Sequence, residues 1–125
     1  MGSMRRLDRP PMQILRSVVI DCHIEDVFDY VADPRNDREW RRGRLTELTC
    51  LGSERPRRIA WRWEADGDVV DVGFVLEPVW TSTRVTVRQE RRPHGARILR
   101  PARQRTAARD LDRRLEALRQ RLERR

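Results

Sequence analysis

Two tryptophans, Trp61 and Trp63, stand two positions apart in the run Arg58-Ile59-Ala60-Trp61-Arg62-Trp63. On a strand that spacing sends both rings to one face, because successive side chains point to opposite sides. Two large rings on one apolar face can fill a core or line a cavity for a small apolar or aromatic molecule. Each indole N–H also needs an acceptor, which makes the pair less usual in a small core. The expected lining set is Tyr30, Trp61, Trp63, Val72, Phe74, Val87 and Leu99, with Trp80 a further aromatic candidate.

Chemistry on such a molecule would need a polar group inside the cavity. General acid–base work suits a His, Tyr or carboxylate with a tuned pKa. Tyr30, Gln89 and His94 are the candidates, and none sits in a diagnostic motif. His94, in Pro93-His94-Gly95, reads more readily as an exposed loop residue, and His23 as an exposed helix-start residue. Two cysteines, Cys22 and Cys50, and two histidines have no metal-ligand spacing, so neither metal nor cofactor is expected. The thiols read as free and buried rather than bridged. There is no nucleophilic triad and no phosphate-binding glycine loop.

The elements that must position these residues follow from pattern. Residues 13–21 are β-branched and apolar and predict a strand. Ile24, Val27, Phe28 and Val31 recur at helical spacing, with Asp21 as N-cap and Glu25 and Asp26 in the first turn. Asp33-Pro34 stops that helix, and Pro34 can open a second short helix capped by Asp33 and running towards Trp40. Residues 44–51 predict a strand, and 52–58 a polar loop. Asp66-Gly67 is a hairpin turn that sets Trp63 against Val70, Trp61 against Val72 and Ile59 against Phe74 on the apolar face. Arg62 then meets Asp71 on the wet face. Glu77-Pro78 ends the second strand of that hairpin. Residues 83–90 alternate again, with Val85 and Val87 facing one way. A long helix over about 96–124 carries Ala108, Leu111, Leu115, Leu118 and Leu122 on one stripe, with Pro101 marking a kink or a start.

Composition bounds the class. The 125 residues are 38% hydrophobic and 38% charged, as in a single globular domain with a wet surface. Residues 12–125 read as that domain, after an N-terminal tail over 1–11 whose first four residues look like an expression remnant. No membrane-length apolar run or signal-peptide pattern is present, so a cytoplasmic location is expected. All the basic residues are arginine, and 11 of them stand against 4 acids from Arg97 to Arg125, which holds +7 of the net +8. This tail reads as the solvated face of an amphipathic helix, as a coiled-coil seam, or as a site for a polyanion or an acidic acyl-carrier protein. Nucleic acid is disfavoured, because acids interrupt the arginines and no aromatic residue interleaves with them for stacking.

The order strand, two short helices, antiparallel meander and long helix gives an α+β fold. With "VVIDCHIEDVFDYVADPRNDREW", "RRIAWRW", "FVLEPVWTSTRVTV" and "ARDLDRRLEALRQRLE", it resembles the START-like superfamily, also called the birch-pollen-allergen-like or polyketide cyclase/dehydrase (SRPBCC) family. The likeness spans nearly all of residues 12–124. It implies a helix-grip fold, in which a curved antiparallel sheet of about five strands wraps around the C-terminal helix. Only 18 residues separate Trp40 from Ile59, so the chain reads as a shortened member lacking a hairpin. That would leave a sheet edge which a second copy could cover. The resemblance implies binding of a small apolar or aromatic ligand. If the protein is catalytic, the reaction would be aldol cyclisation and dehydration of a polyketone. A non-catalytic interaction module or structural dimer, acting through the basic helix, is the rival reading.

Overall fold

The computed structural model describes residues 12–39, 47–65, 67–92 and 101–124. Five strands form one open antiparallel sheet: β1 (Met12–Ile20), β2 (Thr49–Glu54), β3 (Arg58–Ala65), β4 (Asp68–Val79) and β5 (Ser82–Arg92), in the order β1-β5-β4-β3-β2. Helix α1 (Ile24–Ala32), a 3₁₀ turn (Pro34–Glu39) and helix α2 (Pro101–Glu123) complete the α+β fold. No described helix is long and apolar enough to cross a membrane.

The β3–β4 register follows the alternation of the sequence. Trp63 faces Val70, Trp61 faces Val72 and Ile59 faces Phe74. On the outer face Arg62 reaches Asp71 at 2.7 Å. Gly67 supplies the left-handed residue of the turn, at φ 81°. On β5, Thr83, Val85 and Val87 are buried while Arg84 and Arg88 are exposed.

Both helices cover the same face. Val27, Phe28, Tyr30 and Val31 of α1 are buried, and α1 approaches β3, β4 and β5. Leu111, Leu115, Leu118 and Leu122 of α2 join the same core, and α2 approaches β1 most closely. Arg16 of β1 pairs with Asp112 at 3.0 Å, and the Asp21 N–H donates to Glu123 at 2.9 Å. Five strand residues and eleven helix residues each span about 16 Å, so α2 runs alongside β1 in the same direction.

Several expectations need correction. The edge strand β2 lies at Thr49–Glu54, partly inside the segment read as a polar loop, and all six of its side chains are exposed. Backbone pairing to β3 holds it there, with a bulge between Cys50 and Gly52, so no apolar alternation marks it. β4 runs through Pro78 to Val79. Beyond Val75 no β3 residue pairs with it, so a missing N–H on that side costs little. Trp80 then occupies the two-residue turn at φ 58° and is 98% exposed, away from the apolar face. His23 replaces Asp21 as the cap of α1, its side chain accepting from the Glu25 N–H. Neither cysteine is bridged, but Cys22 is only half-buried and Cys50 is exposed on the edge strand. The described part of the last helix starts at Pro101, and residues 96–100 lie outside the described residues.

The Trp61 indole N–H donates to the Val31 carbonyl at 3.3 Å, one of the last-turn carbonyls that α1 cannot satisfy itself. Trp61→Phe is expected to destabilise the protein by about 1–3 kcal/mol, since a buried acceptor loses its donor. Arg62→Ala, one residue away on the wet face, should change stability less. Urea denaturation of both variants checks this, and equal losses would remove the special role of the indole.

Candidate ligand-binding face

The inner face of the sheet is a set of cross-strand rows. Trp63, Val70, Arg91 and Met12 form one row. Trp61, Val72, Gln89 and Ile14 form the next, and Ile59, Phe74, Val87 and Arg16 the third. Trp61, Trp63, Val72, Phe74 and Val87 are each 7% exposed or less, and Tyr30 joins them from α1 at 7%. Six of the seven expected lining residues therefore meet in one cluster. Leu99, His94 and Trp40 lie outside the described residues.

Gln89 is half-buried on the same face, between Val72 and Ile14 in the register. Beside it lies a feature the sequence reading missed. Arg91 donates to Asp68 at 2.7 Å and to the Ala65 carbonyl at 3.2 Å, and the Asp68 side chain is fully buried. Strand parity could have found both, since Asp68 is in phase with Val70 and Val72, and Arg91 with Val87 and Gln89. The apolar face thus ends in an amide and a guanidinium held by a buried carboxylate. Such an end can fix the orientation of a carbonyl or anionic oxygen while the aromatic rows hold an apolar body.

The α1 corner closes the other side. Asp33 accepts from the Arg35 N–H at 2.9 Å and from its guanidinium at 2.7 Å, which caps the 3₁₀ turn. The Arg35 side chain first, and its backbone N–H second, hold the Asp33 carboxyl below the usual carboxylate range. Asn36 donates to the Tyr30 carbonyl at 3.0 Å. Asp29 on the solvent side is likewise lowered, by its hydrogen bonds to Arg55.

Two of the solvent-open hollows among the described residues lie off the inner face. One, about 510 Å³, is lined by Asp29, Tyr30, Asp33, Arg35 and Asn36. The other, about 350 Å³, lies on the outer face beside β2, where Gly52, Ala60 and Gly73 form a floor between Leu51 and Val75. Among the described residues no group of three His, Cys, Asp or Glu could hold a metal ion.

No protein-family profile and no curated protein matches this chain. Solved structures do match in fold. CalU16 from Micromonospora echinospora has a TM-score of 0.62 at 16% identity, over 85% of this chain and 73% of that one. CV1439 from Chromobacterium violaceum has a TM-score of 0.68 at 14% identity, over 90% of this chain and 97% of that one. DynU16, from the dynemicin biosynthetic locus, has a TM-score of 0.69 at 18% identity, and this chain spans 48% of its length. At these identities the likeness establishes the helix-grip fold and nothing finer.

Two outcomes follow for the polar groups. Asp68→Ala leaves Arg91 without its carboxylate and should cost about 2–4 kcal/mol, below a fully buried pair because Arg91 still reaches water. Chemical denaturation measures it, and a loss near zero would mean the pair is dispensable. Asp33→Ala should lower the Tm at pH 7. A depressed folded-state pKa stabilises above the unfolded value and is lost as pH falls through the folded one. The gap between wild type and Asp33→Ala therefore closes in acid below the ordinary Asp range, and melts from pH 7 to pH 2 would show it.

Proposed function

We propose that this chain is a START-like protein of the polyketide cyclase/dehydrase kind, binding a small apolar or aromatic molecule between the inner sheet face and its two helices. The observation that carries the reading is the pairing of Trp61 and Trp63 on one face with a polar end made by Gln89 and Arg91. The shared fold of DynU16, a protein of a biosynthetic locus, supports a biosynthetic role.

In this reading the aromatic rows hold the flat part of the molecule and keep water from it. The Gln89 amide and the Arg91 guanidinium hydrogen-bond its carbonyl oxygens. For aldol closure of a polyketone, positive charge beside a carbonyl stabilises the enolate oxygen as it develops. Tyr30 and His94 are the candidates for moving the proton at the α-carbon, and none of these steps calls for a metal or cofactor. Binding goes with movement of α2, whose fastenings to β1 at Arg16 and Asp21 are exposed and individually weak. An acyl-carrier protein is the proposed donor of a tethered substrate, and a second copy on the β2 edge the proposed homodimer partner.

The test uses Trp40→Phe/Trp80→Phe protein, so that Trp61 and Trp63 alone report. Titration with 2-acetylnaphthalene, an aromatic ketone, should quench their fluorescence saturably. Gln89→Leu should weaken binding about tenfold, the worth of one hydrogen bond. Linear, non-saturating quenching identical in both proteins would sink the reading.

A further inference from the structure

The solvent face of α2 carries a charge pattern that the ligand reading does not use. Arg105, Arg109 and Arg113 are exposed. At 100° per residue they fall within about 80° of arc, over about 12 Å of helix. The buried leucines occupy the opposite side.

In the sequence, the acids of this segment look as if they dilute that charge. In the structure each is engaged, although Glu116 and Glu123 share the arc of these arginines further along the helix. Asp110 takes Arg114 at 2.9 Å, Asp112 takes Arg16 of β1 at 3.0 Å, and Glu116 takes Arg119. Glu123 takes Arg119 at 3.1 Å and the Asp21 N–H at 2.9 Å. Among the described residues Arg113 has only a long 3.8 Å contact, with Asp110. A crest of like charge remains outward, and like charges four residues apart weaken a helix.

We propose that this crest is a docking surface for an acidic helix of a protein partner. Carboxylates four residues apart on such a helix repeat every 6 Å, the spacing of Arg105, Arg109 and Arg113, and a guanidinium takes a carboxylate bidentately. A lipid surface fits less well, because the apolar side that an interfacial helix must insert is here spent on the sheet. Single-stranded nucleic acid fits less well, because no aromatic side chain lies on the described part of α2 for a base to stack on. The proposal does not depend on a ligand at the inner face.

The probe is a labelled 20-residue alanine-based peptide with Glu at every fourth position, titrated with the full chain by fluorescence anisotropy. A peptide of identical composition with the glutamates spread around the helix is the control. The spaced peptide should bind about tenfold tighter, with an affinity that falls as salt rises. Arg109→Glu/Arg113→Glu should lose at least about tenfold and regain binding to a peptide carrying Lys at the same positions. Circular dichroism confirms that the variant is folded, and Arg109→Gln/Arg113→Gln serves if it is not. Equal binding of both peptides overturns the proposal. So does tighter binding of a 20-nucleotide RNA or of vesicles rich in anionic lipid.

Discussion

The rest of the structure hangs on the register of the β3–β4 hairpin. Side chains on a strand alternate strictly, so a slip of one residue would carry Trp61 and Trp63 into water and bring Arg62 and Glu64 into the core. The left-handed residue Gly67 fixes the turn, and the Arg62–Asp71 pair marks the same register from outside. Several features depend on it. Asp68 arrives on the inner face opposite β5, where Arg91 can meet it. Trp61 arrives beneath the last turn of α1, where a carbonyl waits for a donor.

A sheet with one apolar face and open edges cannot stand alone in water, and two helices share the task of covering it. They are fastened differently. α1 sits over the middle of the sheet and is tied by a buried hydrogen bond and by Val27 and Val31, both fully buried. α2 lies towards the β1 edge, with leucines inward and polar ties at its flanks. Hydrophobic burial sets the affinity of each helix for the sheet, while exposed ion pairs set mainly its angle and register. α1 is tied to the aromatic rows from within, and α2 takes its angle along β1 from exposed groups.

Legibility in the sequence followed burial. Where one face is apolar and the other wet, the alternation is written in residue types, and β3 and β4 were readable to the register and β5 to its inward face. The leucine stripe of α2 and the Asp33-Pro34 stop were readable for the same reason, since packing and backbone sterics act on residue identity. β2 was misplaced because all its side chains are in water and only its backbone is engaged. The end of β4 was misplaced because Pro78 reads as a stop, yet past Leu76, whose N–H still donates to the Arg57 carbonyl, β3 no longer pairs with the strand. His23 took the cap from Asp21 because Asp21 is used elsewhere, by Ser82 at 3.2 Å and by Glu123 through its N–H. Long-range partners of that kind leave no local pattern.

The candidate site shows the same division. Its apolar part was legible, since Tyr30, Trp61, Trp63, Val72, Phe74 and Val87 converge as their spacing requires. Its polar end was not, because an Asp beside a glycine turn and an Arg near a strand end look like surface residues until parity is followed to the last position. Burying a carboxylate costs free energy, which its partner must offset. A core with no function could put leucines at both positions and be at least as stable. Holding a guanidinium at the margin of two tryptophans is therefore costlier than the fold needs, and that excess is the physical reason to read this face as a site as well as a core.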